Sequence, residues 1–427
     1  MLIGIDASRA NRLHKSGTEW YSYYLIRALA QIDSKNTYIL YTDAPLTEGL
    51  ADLTTNSQHK TFVTSVRENG MQPVRSPHNN VKAKVLRWPW KFFWTQGRLS
   101  LEMIFHRPDI LFVPAHALPI FHPKKSVVTI HDIGFRNNAS LYEHNQIGAD
   151  SRRRRSLINF CIRLITFGKY GATSFDYLEW STKFALHQAA TIIAISQFTK
   201  SELLSAYKPK PEKISVVYNG YSEDLYHPLP DDRTSDEVLQ RYGISRPYFF
   251  YVGRLEKKKN TATLIEAFAL LKSKQGENFK HKLCLVGDAS YGFDEIKYTI
   301  HEYGLVNDVI VTGWIAEKDL PYIFARAEAF VFPSNYEGFG IPLLQAMATG
   351  TPIAASNIAS IPEIVQEAAI LFDPKDSQDI AEALARVLFD ETLRKNLIER
   401  GNQRVKQFSW QNTAHETLEI FNKLKTK

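Results

Sequence analysis

Short apolar runs alternate with segments of helical periodicity along the whole chain. Residues 249–252 (Phe-Phe-Tyr-Val) and 329–332 (Ala-Phe-Val-Phe) are continuous apolar runs of strand length, which is typical of strands buried on both faces. Each run leads into a glycine-containing loop and then into a helix-favouring segment, at residues 264–271 and 341–348. This alternation predicts an α/β fold with doubly wound parallel sheets.

The first half of the chain has the same pattern. Residues 2–6 read as a strand, and an apolar series at helical spacing follows Gly17. A β-branched strand at residues 127–130 ends on His131 and Asp132. Open α/β sheets bind ligands at the carboxyl ends of their strands, so both residues are site candidates, with a structural histidine as the alternative.

Length and composition indicate two domains. The chain has 427 residues, of which 44% are hydrophobic, and this exceeds what a single core usually holds. We expect a first domain at 1–225, a linker at 226–246 that is rich in proline and charge, and a second domain at 247–407. The last segment, 410–424, is amphipathic.

The sequence of residues 332–345, F-P-S-N-Y-E-G-F-G-I-P-L-L-Q, carries the strongest chemical signal. It predicts that Gly338 and Gly340 lie at a helix N-terminus, where the N–H groups of residues 339–341 can face an anion and a phosphate can approach the backbone. Glu337 would repel that phosphate, so the hydroxyls of a sugar nucleotide are its expected partners. An ordinary surface loop is the alternative.

A second candidate for phosphate binding follows the strand at 249–252. The loop G-R-L-E-K-K-K-N, residues 253–260, offers the planar fork of Arg254 and the mobile charge of Lys259. This pairing suits a departing diphosphate. A solvated basic loop is the alternative.

With these motifs in their order, the chain resembles the retaining glycosyltransferases of the GT-B fold. This is the large group 1 family, or glycosyltransferase family 4, which includes bacterial O-antigen and capsule mannosyltransferases. The resemblance covers nearly the whole chain. It rests on G-R-L-x-x-x-K-N at 253–260, L-V-G at 285–287, T-G-W at 312–314, P-S-x-x-E-G-F-G-x-P at 333–342 and G-T-P at 350–352.

The resemblance implies two Rossmann-like domains with an interdomain cleft, an acceptor-side first domain, a nucleotide-sugar-binding second domain and a C-terminal crossover helix at 408–427 that packs back on the first. It also implies roles for individual residues. The catalytic candidates are His131, Arg254, Lys259 and Glu337; the donor-binding candidates are Gly17, Gly253, Trp314, Gly338, Phe339, Gly340, Ile341 and Gln345; Asp132 is on the acceptor side.

One position departs from the family pattern. The family carries two glutamates separated by seven residues, and the second falls here on Gln345. In similar enzymes this glutamate holds the ribose hydroxyls. Glutamine keeps an acceptor oxygen but loses a charge-assisted bond worth about 1 to 2 kcal/mol. Weaker donor binding is expected, and a catalytically silent scaffold in a glycan assembly complex is the alternative.

From the resemblance we expect a sugar, with mannose from GDP-mannose the first choice, to pass with retention to a hydroxyl of a growing lipid-linked polysaccharide. A UDP-sugar is the alternative donor. A GT-B epimerase would have no use for an acceptor surface, and the patterns of Arg254, Lys259 and Glu337 argue against it. No cofactor and no metal ion are expected, because protein cations and helix termini handle the diphosphate.

Charge and cysteine content add expectations about location. The chain has 52 basic and 45 acidic residues, a net charge of +7. Basic residues stand beside aromatic or apolar ones at 82–98 and 152–167, which suits contact with an anionic membrane. The alternative is that the stretch from Trp88 to Trp94 is partly core and that the arginine run is a solvated helix face. No nucleic-acid module is recognisable.

The two cysteines, Cys161 and Cys284, form no C-x-x-C motif, so a reduced cytoplasm is the simplest setting. The N-terminus lacks signal-peptide character, and no apolar run reaches transmembrane length. We expect a cytoplasmic protein with peripheral contact at the inner face of the plasma membrane.

Overall fold

The structure, a computed structural model, describes residues 1–47, 49–54, 79–89, 93–142, 156, 159–160, 162–163 and 169–426. The chain forms two compact units. The first includes the N-terminal residues through Asn219 together with Trp410–Lys427, and the second includes Gly220–Ser409.

The first unit contains a seven-stranded parallel sheet in the order β3-β2-β1-β4-β5-β6-β7. Its strands are β1 (Leu2–Asp6), β2 (Thr37–Thr42), β3 (Val81–Val85), β4 (Ile110–Val113), β5 (Ser126–Ile130), β6 (Thr191–Ala194) and β7 (Ile214–Val216). Its helices are α1 (Gly17–Ile32), α2 (Ser100–Phe105), α3 (Gly134–Asn137), α4 (Ser174–Gln188) and α5 (Gln197–Tyr207), with α14 (Trp410–Lys425) from the C-terminal segment.

The second unit contains a six-stranded parallel sheet in the order β10-β9-β8-β11-β12-β13. Its strands are β8 (Tyr248–Val252), β9 (Lys282–Val286), β10 (Val309–Gly313), β11 (Ala329–Phe332), β12 (Ile353–Ser356) and β13 (Ala369–Phe372). Its helices are α6 (Arg233–Arg241), α7 (Thr261–Gln275), α8 (Phe293–Glu302), α9 (Leu320–Arg326), α10 (Ile341–Ala348), α11 (Ile361–Val365), α12 (Ser377–Phe389) and α13 (Glu391–Arg404).

Strand order confirms the doubly wound architecture. The order reverses at β1/β4 in the first sheet and at β8/β11 in the second, and ligands of such sheets bind at the carboxyl ends of the strands beside this point. The central strands are apolar because helices cover both of their faces. In the second unit, Phe250, Phe324 and Phe330 pack with ring centroids 4.8 to 5.8 Å apart.

The C-terminal helix α14 completes the core of the first unit. Trp410 stacks on Tyr24 of α1 at 5.6 Å, and Phe421 meets Phe112 of β4 edge to face at 5.4 Å. The Thr413 hydroxyl donates to the Tyr218 carbonyl at 2.8 Å. The amphipathic character of this segment therefore reflects burial of its apolar face on the first unit.

The segment 226–246, expected as a linker, contains helix α6. Asp232 begins the helix by accepting a hydrogen bond from Ser235 N–H, and Val238 and Leu239 are buried. Proline and acidic residues in this segment are therefore helix-start signals rather than signs of an open linker. Among the described residues, no helix has both the length and the apolar character needed to cross a membrane.

Candidate active site

Three glycines join the carboxyl ends of β8, β9 and β10. Gly253 N–H donates to Val286 O, and Gly287 N–H donates to Gly313 O, both at 2.9 Å. A Cβ atom on Gly287 would lie 2.0 Å from Gly253 O, and Gly287 has φ +142°. No side chain fits there, so the backbone forms the surface at this end of the sheet.

A buried tyrosine holds the backbone of the basic loop that follows Gly253. The hydroxyl of Tyr251 donates to the carbonyl of Arg254 at 3.0 Å, and Tyr251 is fully buried. The Arg254 residue itself is exposed. The loop continues into a 3-10 turn, Lys257–Lys259, so Lys259 stands at the start of α7.

Lys259 and Glu337, far apart in the sequence, form an ion pair. Lys259 Nζ lies 2.5 Å from Glu337 Oε1, and the side chains are only 16% and 12% exposed. Backbone contacts fix the pair: Asn335 N–H donates to Lys258 O, and the Ser360 hydroxyl donates to Glu337 O, both at 2.9 Å. The two motifs predicted to bind phosphate and sugar thus form one site in the second unit.

The N-terminus of α10 lies directly after Glu337. Gly340 occupies the N-cap position with φ +93°, and no described side chain caps the helix. Phe339 is buried and Ile341 is the first helical residue. Main-chain donors and the positive end of the helix dipole therefore stand beside Lys259, which is an arrangement that favours an anion.

Gln345 lies in α10, one turn after Ile341, and is half-buried. The backbone carbonyl of Gln345 accepts a hydrogen bond from the Thr349 hydroxyl at 2.9 Å. Trp314 follows β10 and is exposed. The structure places Gln345 on the helix that begins beside Glu337. It places Trp314 next to Gly313, whose carbonyl accepts a hydrogen bond from Gly287 N–H.

The remaining predicted residues belong to the first unit. Gly17 is the first residue of α1, and a Cβ atom there would meet nothing within 4 Å. His131 follows β5, and its ring packs edge to face against Tyr21 of α1 at 4.8 Å. Gly17 and His131 therefore lie near the same edge of the first sheet. Asp132 Oδ1 accepts from Gly134 N–H at 3.0 Å.

The tautomer of His131 is set by a backbone carbonyl. Nε2 of His131 lies 2.9 Å from Pro114 O, so this nitrogen carries the proton in the neutral ring. Burial, together with the nearby His116, lowers the pKa of His131 from 6.5 to about 4. The ring is therefore neutral at neutral pH, and Pro114 rather than the Asp132 side chain holds the proton-bearing nitrogen.

Three contacts at the site were not foreseen from the sequence. Tyr251 was grouped with the apolar strand, although the polar end of a tyrosine at a strand terminus signals a hydrogen bond. Asn335 lies within the motif at 332–345 and Ser360 lies outside every motif, and neither residue type indicates the hydrogen bond that it donates. Their contacts depend on tertiary structure and could not be located by spacing.

The basic and aromatic stretch 82–98 is only partly described. Trp94 is buried and its Nε1–H donates to Leu86 O at 2.8 Å. Lys84 forms an ion pair with Glu102. For Trp94 the alternative of a core role applies. Most of the second stretch, 152–167, lies outside the described residues, and membrane contact by either stretch stays a prediction.

Among the described residues, no group of three or more His, Cys, Asp or Glu side chains could hold a metal ion. The expectation of metal-independent chemistry stays a prediction.

Comparison with known proteins gives two family matches. The family described as "Glycosyl transferases group 1" matches residues 236–404, and the one described as "Glycosyltransferase Family 4" matches residues 15–225. The chain is 30% identical to O-antigen chain mannosyltransferase B of Escherichia coli over 329 residues, which are 76% of this chain and 83% of that protein.

Solved structures share the fold over the full length. Sucrose-phosphate synthase from Thermosynechococcus elongatus aligns with a TM-score of 0.69 at 19% identity, over 100% of this chain and 99% of that one. HepE of Anabaena, in complex with UDP-glucose, aligns with a TM-score of 0.65 at 18% identity, over 100% and 99% of the two chains. At these identities the likeness establishes the GT-B fold alone.

Proposed function

The chain belongs to the glycosyl transferases group 1 family, and from this premise we propose that it transfers mannose from GDP-mannose to a hydroxyl of a growing, lipid-linked polysaccharide. Its membership makes it a glycosyltransferase. Mannose is favoured because a relative that the chain matches over most of its length is named an O-antigen chain mannosyltransferase.

One observation carries the proposed chemistry. Lys259 and Glu337 form an ion pair at 2.5 Å beside the uncapped N-terminus of α10. In the proposal the ammonium group and the main-chain N–H groups of residues 339–341 bind the diphosphate, while the carboxylate accepts hydrogen bonds from sugar hydroxyls. Arg254, exposed on the adjacent loop, adds a planar cation.

The proposed reaction retains the anomeric configuration. The bond between the anomeric carbon and the diphosphate oxygen breaks, and the cations stabilise the charge that develops on that oxygen. The acceptor hydroxyl bonds to the anomeric carbon on the same face and passes its proton to the departing phosphate. Neutral His131 is proposed as a contact of the transferred sugar, since Nε2–H donates to Pro114 O and leaves Nδ1 able to accept a hydrogen bond from a sugar hydroxyl without carrying charge.

Two alternatives, a different sugar donor and a role without catalysis, each have a specific observation in their favour. A UDP-sugar is supported by the complex of HepE with UDP-glucose. A silent scaffold is supported by Gln345, which replaces the acid that would hold the ribose. A peripheral membrane location, with the acceptor lipid in the same membrane, is part of the proposal.

Thermal unfolding in the presence of a donor panel tests the donor assignment. The purified chain would be heated with GDP-mannose, GDP-fucose, UDP-glucose, UDP-galactose, UDP-N-acetylglucosamine, GDP and UDP. A ligand at about 100 times its dissociation constant stabilises the folded state by about 2.7 kcal/mol, and we expect this for GDP-mannose. Selective stabilisation by a UDP-sugar would replace the assignment, and no stabilisation by any donor would favour the scaffold.

A further inference from the structure

A row of large apolar side chains is exposed on one face of α2 in the first unit. Leu101, Ile104 and Phe105 are 46%, 39% and 75% exposed. Their spacing of three and four residues puts them on the same side of the helix. Met103 on the other side is fully buried in the domain core, so packing within this unit accounts for one face of α2 and leaves the other to solvent.

Two further apolar residues extend this face. Ile120 and Phe121 are 48% and 50% exposed. Phe121 N–H donates to the Ser100 hydroxyl at 2.8 Å, and this bond fixes the loop before β5 beside the first turn of α2. We call Leu101, Ile104, Phe105, Ile120 and Phe121 the apolar patch. Single exposed apolar residues are common on proteins, whereas five neighbouring ones mark an interaction surface.

Cations border the apolar patch. Arg107 follows α2, and its Nε–H donates to Met103 O at 2.8 Å. Burial lowers the pKa of His122, on the loop before β5, and the positive charge of Arg107 lowers it further. Lys124 is exposed, and Lys125 Nζ lies 3.4 Å from the carbonyl of Lys425. The basic rim therefore consists of Arg107, Lys124 and Lys125, at the end of α2 and along the same loop.

The acid on α2 does not offset this charge. Glu102 is buried and forms ion pairs with Lys84 and Arg98, and His106 Nδ1 lies 3.0 Å from its carboxylate. Asp109 accepts from Leu2 N–H at 2.8 Å. The patch thus combines exposed apolar side chains with net positive charge at its edge.

We propose that the apolar patch and its basic rim bind the surface of a membrane that contains anionic lipids. Aromatic and aliphatic side chains enter the boundary between headgroups and acyl chains, while neighbouring cations pair with lipid phosphates. A second copy of the chain fits this surface less well, because a symmetric contact through the patch would bring two basic rims together. This inference rests on the peripheral membrane location included in the proposed function, and it assigns the contact to a surface other than the stretches 82–98 and 152–167. Vesicle binding is measured without donor or acceptor, so a failure to bind would leave sugar transfer unaffected.

Vesicle flotation of the full chain tests this assignment. The vesicles are phosphatidylcholine alone or phosphatidylcholine with about 30% phosphatidylglycerol, in buffer of about 0.15 M ionic strength. We expect the bound fraction to be at least about tenfold higher on the anionic vesicles. The double variant Phe105→Ser/Phe121→Ser should lower binding about tenfold. The matched control Phe389→Ser, at a 60% exposed phenylalanine of the second unit, should bind like the wild type.

The basic rim has its own variant. Lys124→Glu should lower binding to anionic vesicles and reduce its salt dependence, whereas Lys395→Glu on α13 should not. This charge reversal leaves the apolar residues in place, so it tests the rim even where the double serine variant fails to fold.

Three results would overturn the proposal. The first is that the wild type does not float with anionic vesicles. The second is that the double serine variant, unfolding at the wild-type temperature, binds vesicles as well as Phe389→Ser does. The third is that light scattering finds a dimer which the double variant converts to a monomer while vesicle binding is unchanged, because the patch would then belong to a second copy of the chain.

Discussion

Lys259 and Glu337 belong to motifs that the sequence identified separately, and their direct contact is a property of the folded second unit. The residue types and their motifs indicated phosphate and sugar chemistry. Spacing could not give the 2.5 Å contact, because it depends on hydrogen bonds donated by the Asn335 N–H and the Ser360 hydroxyl, which no pattern marks. The hydrogen bond of Tyr251 was missed because this residue was grouped with the apolar strand at 249–252.

Replacing Lys259 by alanine removes the cation from the proposed diphosphate site. We expect kcat to fall about 100-fold, the effect typical of losing one preorganised electrostatic contact in a transition state. Lys257→Ala, at an exposed position of the same 3-10 turn, is the matched control and should keep wild-type kcat. Equal rates for both variants, with unchanged thermal unfolding, would remove Lys259 from the mechanism.

Gln345→Glu restores the acid that the family pattern carries. A carboxylate that accepts from the ribose hydroxyls should strengthen donor binding by about 1 to 2 kcal/mol, or roughly five- to thirtyfold in dissociation constant. Calorimetric titration with the donor measures it. Unchanged or weaker binding would show that Gln345 does not face the ribose.

His131 should make stability depend on pH in a defined window. Its pKa falls from 6.5 in the unfolded chain to about 4 in the folded one, so the unfolded state binds the extra proton. The contribution of neutral His131 to the free energy of unfolding is therefore complete above pH 6.5. It decreases as the pH falls towards 4, at about 1.4 kcal/mol per pH unit. His131→Gln keeps a donor for Pro114 and should remove that slope. Denaturant unfolding of both proteins between pH 4 and 7 measures it, and parallel curves would contradict the assignment.

At the scale of elements, the hydroxyl of Tyr251 connects strand β8 to the loop of Arg254. Tyr251→Phe should raise the donor KM roughly tenfold, because a misplaced cation loses its alignment with the diphosphate. Tyr248→Phe is the matched control: its hydroxyl, buried in the same strand, donates to Ile323 O at 2.7 Å. Each variant should lose about 1 kcal/mol of unfolding free energy. Equal KM values for the two would assign Tyr251 to stability alone.

The pattern of the elements was predictable where burial determines it. The apolar runs at 249–252 and 329–332 correspond to strands β8 and β11, since a strand covered on both faces needs apolar residues throughout. Helix α6 was missed because its start is marked by proline and acidic residues that also signal a loop. At Trp94 the pattern of an aromatic residue among cations suggested a membrane contact. The structure instead buries Trp94 in the core, where its Nε1–H donates a hydrogen bond to Leu86 O.

For the whole molecule, the two doubly wound parallel sheets followed from the alternation of strands and helices, whereas the strand order that sets their switch points is known only from the structure. The identity of the sugar did not, because donor selection depends on loop geometry that a sequence pattern does not encode. The family relationship adds mannose as the first candidate.

The most direct test is NMR detection of transfer from GDP-mannose labelled with ¹³C at the anomeric carbon to an octyl α-mannoside acceptor. The account predicts a new α-configured anomeric signal with the wild type and with Lys257→Ala, and its loss with Lys259→Ala. A β-configured product would contradict retention. Donor binding without transfer to this or other mannose-terminated acceptors, or transfer that persists in Lys259→Ala, would contradict the proposed enzyme and its site.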